Sequence, residues 1–365
     1  MSVIDQNQAP SILSVDLSAI LANYQLLKQK AETSAVAASI KANAYGLGAD
    51  RIAPVLARAG CRHFFVASVA EGIALRRVTP HTIYVFGGIH AGDHDAFTAH
   101  KLTPVLNSLD DATRYKGGPC AVFFDTGMNR LGLGPAETKR IVADPELLRH
   151  LDIRVFISHF ACSEDAPHPL NALQIERFAT IRAALAPHYP SALWSLGNSS
   201  GIMHFGHAHY DMVRPGYALY GGNPTPEAAN PMRPVVTLQS RVLQTRHVAA
   251  GDTIGYSATH RFEEASETAT IFLGYADGIT RKLSNSVGHV YWQGQPCPIL
   301  GRISMDLTTI GISHLKGPKP QAGDMVEVLG PQQDIDVLAG FAGTIGYEIL
   351  TSLGLRYARR YIDAP

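Results

Sequence analysis

Short apolar runs and amphipathic segments alternate along roughly the first 200 residues of the chain. Runs such as 35–40 (AVAASI), 63–67 (HFFVA) and 121–125 (AVFFD) are typical of strands that are buried on both faces. Segments with apolar residues at helical spacing lie between them, as at 19–27 and at 51–60, where the segment ends in glycine. The pattern therefore predicts strands and helices in alternation.

Further strands are predicted at 82–86, 102–106, 153–159, 192–196 and 212–214, which gives about eight in all. Strict alternation implies parallel strands joined by crossover helices, and about eight such units predict a closed (β/α)8 barrel of the TIM type. A doubly wound open sheet is the alternative. That fold should show a glycine-rich dinucleotide turn early in the chain, and none is present.

The pattern changes after a turn-rich connector at 221–234, which is rich in proline and glycine. Beyond it, short period-two segments at 235–243, 268–273, 289–292 and 325–329 predict strands, and 337–342 predicts one helix. We therefore expect an N-terminal (β/α)8 barrel over residues 10–234 and a mainly β domain over residues 235–365.

Composition narrows the class of protein. Hydrophobic residues make up 46% and charged residues 17% of the 365 residues, as in a well-packed globular enzyme, and a net charge of +0 gives no support for a nucleic-acid partner. The four cysteines are widely spaced, which favours neither a zinc site nor a disulfide framework. Residues 1–8 lack a secretory signal pattern, and no apolar run is long enough to span a membrane. A cytoplasmic protein is expected.

Polar residues end several predicted barrel strands, namely Lys41, Asp125, His159 and Arg214. The carboxyl ends of the strands are where (β/α)8 barrels carry their chemistry. A lysine at the end of a buried strand is half desolvated, which lowers its pKa and makes it a usable nucleophile or Schiff-base former. A lysine whose ammonium group reaches out to solvent is the equally weighted alternative. Among cofactors, pyridoxal 5'-phosphate (PLP) is the usual partner of a Schiff-base lysine, and no metal site is predicted.

The stretch 40–46, IKANAYG, closely resembles the PLP-lysine motif of alanine racemases. Further family motifs follow in the same order: DTGMNRLG at 125–132, SHFA at 158–161, NSS at 198–200, VRPG at 213–216, GY at 255–256, GYADG at 274–278, GRISMD at 301–306 and GYE at 346–348. The resemblance covers residues 10–362. It implies an isomerase that interconverts L-alanine and D-alanine and supplies D-alanine for peptidoglycan. A racemase for serine or another small amino acid, and a non-catalytic PLP-binding barrel protein, are the alternatives.

The resemblance also implies residue roles. Racemisation needs an acid/base group on each face of the substrate Cα, and the family pattern assigns these to Lys41 and Tyr256. Arg130, Met305 and Tyr275 are expected to contact the substrate. The residues expected to hold PLP are Lys41, Tyr45, His159, Asn198, Ser199, Arg214, Gly216, Tyr217 and Tyr347.

Three further expectations come from the family pattern. Arg214 should face the pyridine nitrogen of PLP and leave it unprotonated, which suppresses side reactions; a decarboxylase of the same barrel class would have glutamate there. Tyr256 and Met305 should reach the barrel of a second subunit, in a homodimer with shared active sites. Phe123 replaces a lysine that is carbamylated in many members, and Ser195 replaces a histidine found in some, so the way in which Arg130 is held is open.

Overall fold

The computed structural model describes residues 9–90 and 92–363. Residues 1–8, whose sequence lacks a secretory signal pattern, lie outside the described residues. None of the helices within the described ranges has the length and apolar character needed to cross a membrane.

Strands occur along the whole described chain. They are β1 (Ser11–Asp16), β2 (Ala35–Val36), β3 (Ala38–Ser39), β4 (His63–Val66), β5 (Thr82–Val85), β6 (Thr103–Leu106), β7 (Pro119–Phe123), β8 (Asp152–Ile157), β9 (Leu193–Ser195), β10 (Met212–Val213), β11 (Val236–Val248), β12 (Thr253–Ile254), β13 (His260–Arg261), β14 (Ser266–Ile271), β15 (His289–Trp292), β16 (Gln295–Leu300), β17 (Thr308–Gly311), β18 (Met325–Leu329) and β19 (Ala358–Ile362).

Most of the helices lie in the first two thirds of the chain. They are α1 (Leu17–Lys30), α2 (Lys41–Tyr45), α3 (Ala49–Arg58), α4 (Val69–Arg76), α5 (His94–Ala99), α6 (Leu109–Arg114), α7 (Pro135–Ala143), α8 (Pro169–Leu185), α9 (Ser199–His204), α10 (Ile335–Ala342) and α11 (Gly346–Ser352).

The strands from β2 to β10 form a parallel barrel. Strands β3 to β9 pair in sequence order, and β10 pairs with β2, which continues into β3. Backbone hydrogen bonds close the ring on either side of β10: Ala35 N–H donates to Asp211 O at 2.9 Å, and Asp211 N–H donates to Trp194 O at 3.0 Å. This confirms the predicted (β/α)8 barrel.

Two apolar clusters follow from the alternation of side chains along these strands. Residues such as Phe65, Tyr84 and Val155, one or two from nearly every strand, form the cluster that fills the barrel. Their neighbours in sequence, such as Phe156, pack outward against the helices, where Phe156 stacks on Trp194 with 4.5 Å between ring centroids. The barrel strands lie between the two clusters, and their ends carry the candidate site.

The C-terminal unit is built on a mostly antiparallel sheet with the order β14-β17-β16-β15-β18-β11-β1-β19, in which the β1–β19 pair is parallel. Strand β14 also pairs with β11, which closes a ring of strands, and β11 has a register shift between Val242 and Gln244. Strand β11 pairs with three strands in all, β1, β14 and β18. The mainly β character predicted from the sequence is confirmed.

The predicted domain boundary at 234/235 stays a prediction. Strand β1 falls within the range assigned to the barrel, but it pairs with β11 on one side and β19 on the other. The compact C-terminal unit accordingly includes residues 9–19 and 220–222 in addition to 233–363, and the barrel unit comprises 20–219 and 223–232.

Candidate active site

Lys41 is separated from the end of β3 by Ile40, and it begins a left-handed turn. Ala42, Asn43, Ala44 and Tyr45 all have φ between +52° and +55°, so the backbone makes a left-handed helical turn without a glycine. Each such residue costs about 1–2 kcal/mol. Hydrogen bonds hold the turn, among them Ala44 N–H to Ile40 O at 2.9 Å and Ala49 N–H to the Asn43 side-chain oxygen at 2.8 Å.

The electrostatics of Lys41 fit a reactive amine. Desolvation by the protein around its ammonium group lowers the pKa of Lys41, and the positive charge of Arg130 lowers it further, while Glu71 acts in the opposite direction. The residue still has solvent exposure at the barrel mouth.

Arg130 lies in a loop that is held by the Asp125 side chain and by a backbone hydrogen bond at its base. Asp125 Oδ1 accepts hydrogen bonds from Gly127 N–H at 2.9 Å and from Met128 N–H at 2.8 Å, and Asp125 N–H donates to Leu133 O at 3.0 Å at the loop's base. Phe123 is buried in the barrel cluster. Arg130 is exposed and makes no side-chain hydrogen bond or ion pair within the described ranges, so in this chain the loop backbone sets its position.

Arg214 is buried after β10 and anchors the barrel mouth. Its Nη1 donates to Ser195 Oγ and its Nη2 to Ser158 O, both at 2.5 Å. Burial lowers the pKa of Arg214 to about 9, which leaves the group charged at neutral pH. Its Nε is buried and has no hydrogen-bond partner among the described residues. A buried N–H donor of this kind is complementary to an acceptor atom of a bound group.

His159 follows β8 beside this arginine. Desolvation is the main cause that lowers the pKa of His159 to about 3, and the charges of Arg214, Arg130 and Lys41 add to it. The ring is therefore neutral at physiological pH. Its backbone is fixed by the buried Gln174, whose Nε2 donates to His159 O at 2.8 Å.

Ser199, Gly216 and Tyr45 form a small polar cradle in the same unit. Ser199 Oγ accepts hydrogen bonds from Gly216 N–H at 3.1 Å and Ala218 N–H at 3.2 Å, which leaves its own O–H as a donor. A Cβ on residue 216 would lie 2.2 Å from Tyr45 Oη, so this approach requires glycine. Burial raises the pKa of Tyr45 to about 12, which keeps it a neutral hydroxyl. Hydroxyl and backbone N–H groups of this kind suit a phosphate.

Asn198 and Tyr217 flank the cradle. Asn198 caps α9 through its Oδ1, which accepts from Gly201 N–H at 2.9 Å and from Ser163 Oγ at 2.8 Å. Tyr217 is buried. Residues 197–201 also have the G-x-S-x-G spacing of a hydrolase nucleophile elbow. No histidine hydrogen-bonds to Ser199 within the described residues, and its oxygen already accepts two N–H groups, so the structure gives no support for a nucleophilic serine.

The remaining predicted residues lie in the C-terminal unit. Tyr256 is 69% exposed and follows Gly255, whose φ is +73°. Tyr275 and Met305 are neighbours, because Tyr275 N–H donates to Ser304 O at 3.1 Å and Ala276 N–H donates to Met305 O at 3.0 Å. Tyr347 lies in α11 and is 40% exposed.

Arg356 ties the Tyr275 and Met305 turns together. Its Nε and Nη2 donate to the two carboxylate oxygens of Asp277 at 2.7 and 2.8 Å, and its Nη1 donates to Asp306 Oδ1 at 2.6 Å. Asp277 is buried and also accepts Gly274 N–H at 2.9 Å. The planar guanidinium presents its N–H donors in a fixed fork that matches a carboxylate, which allows all three bonds at once.

Within the described ranges, no group of three or more histidine, cysteine, aspartate or glutamate side chains is arranged to hold a metal ion.

Comparisons with known proteins identify the family. A family model described as "Alanine racemase, N-terminal domain" matches residues 15–224, and one described as "Alanine racemase, C-terminal domain" matches residues 235–361. The chain belongs to the alanine racemase family. The resemblance seen in the motifs is confirmed.

Members of the alanine racemase family match the chain over nearly its full length. An alanine racemase of Acidiphilium cryptum (strain JF-5) is 46% identical over 355 residues, which are 95% of this chain and 97% of that protein. A catabolic alanine racemase of Mesorhizobium japonicum is 43% identical over 369 residues, covering 98% and 95%. The crystal structure of alanine racemase from Bartonella henselae with covalently bound pyridoxal phosphate has a TM-score of 0.91 at 39% identity, covering 97% and 100%.

Three residues that shape the site lie outside the family motifs given above. Glu71, Ser195 and Arg356 act through contacts between segments far apart in the chain. Only Ser195 gave a signal, as a departure from the family pattern.

Proposed function

We propose that the chain is an alanine racemase that interconverts L-alanine and D-alanine, with PLP held at the barrel mouth through Lys41. The observation that carries the proposal is the buried Nε of Arg214, which has no hydrogen-bond partner among the described residues, in a barrel of this family. When bound, PLP supplies an electron-withdrawing ring that acidifies the Cα–H bond of an amino acid.

The residues of the barrel mouth fit that cofactor. Arg214 would donate its Nε–H to the ring nitrogen, and because it stays charged it would not give up a proton there. Ser199, Tyr45 and the backbone at Gly216 and Tyr217 would hold the phosphate, together with Tyr347. Asn198 would act by capping the helix that begins at Ser199.

The two proton transfers fall to different parts of the chain. A lowered pKa gives Lys41 a larger neutral fraction, so its amine can accept or return the Cα proton on one face. Tyr256 would serve the opposite face. His159, neutral at working pH, would supply a hydrogen-bonding partner without adding charge. Arg130 and the Met305 backbone would meet the substrate carboxylate, and Tyr275 would narrow the side-chain pocket.

We further propose that the active protein is a homodimer in which Tyr256 and Met305 act on the barrel of the partner. Exposed apolar side chains support this. Met305 is 54% and Leu355 86% exposed, and Leu355 precedes the arginine that joins the two neighbouring turns. Large apolar side chains with this much exposure are candidates for burial against a partner.

The racemase proposal is tested with L-alanine in D2O, by measuring solvent deuterium at Cα together with the appearance of D-alanine. Both should occur with the PLP-loaded protein and should be lost in Lys41→Ala. Serine and other small amino acids in the same panel measure the substrate range. A protein that binds PLP and catalyses no exchange with alanine would overturn the proposal.

The dimer proposal is tested by co-expressing Lys41→Ala and Tyr256→Phe chains with different tags and purifying the mixed dimer. One of its two sites then has both acid/base groups, so about half of the wild-type activity should return. A mixed dimer no more active than either parent would refute action in trans. We also propose a cytoplasmic protein that supplies D-alanine for peptidoglycan, which predicts D-alanine dependence of a deletion strain.

A further inference from the structure

The side chain of Glu71 binds two neighbouring loops of the barrel mouth. Its Oε1 accepts the N–H of Ala42 at 3.0 Å, and its Oε2 accepts the N–H of Ala67 at 2.8 Å. Ala42 follows Lys41 after β3, and Ala67 follows β4, the strand paired with β3. One carboxylate thus joins the ends of two adjacent strands.

The bond to Ala42 satisfies a group that the left-handed turn leaves open. The hydrogen bonds inside the turn begin with the N–H of Ala44, which donates to Ile40 O, and Ile40 makes no side-chain cap. The N–H of Ala42, the first left-handed residue, donates to Glu71 instead. Since every residue from Ala42 to Tyr45 is in a disfavoured conformation, an anchor at the start of the turn has energetic weight.

Helix capping explains only part of this arrangement. Glu71 is the third residue of α4, and a glutamate there commonly reaches back to backbone N–H groups at the helix start. The bond to Ala67 fits that role, but the bond to Ala42 lies outside the helix. Glu137, the third residue of α7, provides a matched case, because its oxygens accept N–H groups from Gly134 at 2.9 Å and from Leu109 at 2.8 Å.

We propose that Glu71 is a positioning residue for Lys41, whose carboxylate fixes the backbone from which the lysine side chain extends. The inference rests on the proposed function, since it assigns Glu71 a part in holding the cofactor-binding lysine. The negative charge of Glu71 also raises the pKa of Lys41, against the effects of desolvation and of Arg130.

The test compares Glu71→Gln with Glu137→Gln in the full-length, PLP-loaded protein. Glutamine keeps the shape and one acceptor oxygen but presents an NH2 group to one of the two backbone N–H donors. Both variants should lower the melting temperature by a similar amount. Only Glu71→Gln should raise the PLP dissociation constant, by about tenfold or more, and shift the pH profile of kcat to lower pH.

A PLP dissociation constant within twofold of wild type in Glu71→Gln, or an equal rise in Glu137→Gln, would overturn the proposal. If Glu71→Gln does not fold, Glu71→Asp and Glu137→Asp allow the same comparison, because aspartate keeps the charge but is too short to reach both loops.

A second measurement separates this proposal from the racemase proposal. The pH dependence of Lys41 acetylation by acetic anhydride, followed by peptide mass spectrometry on the full-length chain freed of PLP, gives the pKa of Lys41 without any activity assay. That pKa should fall in Glu71→Gln and stay unchanged in Glu137→Gln. An unchanged value in both variants contradicts the role of Glu71, whereas absence of alanine exchange in the wild type contradicts only the racemase proposal.

Discussion

Replacing Arg356 by alanine should destabilise the C-terminal unit substantially. The change removes three charge-assisted hydrogen bonds. Of the contacts described above, the Asp277 carboxylate, whose side chain is 2% exposed, would keep only the hydrogen bond from Gly274 N–H. Losing one partner of a fully buried ion pair costs about 3–5 kcal/mol. Because Arg356 is itself 40% exposed, water reaches the site and we expect about 2–3 kcal/mol, or a melting temperature lower by about 5–10 °C.

Arg149→Ala is the matched control. Arg149 Nη1 donates to both carboxylate oxygens of Glu146, but the two side chains are 77% and 58% exposed, so the loss of stability should be much smaller than in Arg356→Ala. Urea unfolding followed by tryptophan fluorescence measures both variants, with Trp292 reporting the C-terminal unit and Trp194 the barrel. If Arg356→Ala loses no more stability than Arg149→Ala, the burial argument for Asp277 is refuted.

Three further outcomes are expected. Because the pKa of His159 is lowered in the folded protein, the unfolded chain binds more protons between about pH 3 and 6.5, and the stability of the protein should rise with pH across that window. A plot of melting temperature against pH should therefore be flatter for His159→Asn than for wild type. Gly216→Ala should weaken PLP binding about tenfold or more in a spectroscopic titration, because its Cβ would displace Tyr45 Oη, whereas Gly206→Ala, with open space around it, should not. Because Phe123 leaves no lysine to carbamylate, racemisation rates should be the same with and without bicarbonate, and a bicarbonate-dependent rate would refute the backbone account of Arg130.

Hydrophobic periodicity predicts the barrel strands correctly. It fails where the observed backbone conformation is one that the local residue types disfavour. Strand β6 forms at 103–106 despite Pro104, as predicted. Strand β16 is not predicted, because its sequence contains Pro296 and Pro298 and proline is disfavoured within strands. The turn after Lys41 could not be predicted, since four residues with side chains rarely adopt left-handed conformation in succession.

The candidate site divides in the same way. Residues within motifs could be identified from the resemblance, because their spacing along the chain is preserved. The partners of those residues could not, since Glu71 meets Ala42 across 29 positions and Arg356 meets Asp277 across 79. Contacts of this range depend on the packed fold and leave no periodic trace in the sequence.

The position of β1 has a consequence for the order of folding during synthesis. Ser11 and Ser240 are hydrogen-bonded neighbours although 229 residues separate them, so β1 emerges from the ribosome long before either of its partner strands. At about 5–20 residues per second this interval lasts roughly 10 to 45 s. All barrel strands, from β2 to β10, are synthesised within this interval. The C-terminal sheet cannot form until β11 and the strands after it have been synthesised. A fragment beginning at residue 235 would lack the partner strand of β19, and a peptide carrying residues 9–19 should raise the stability of that fragment.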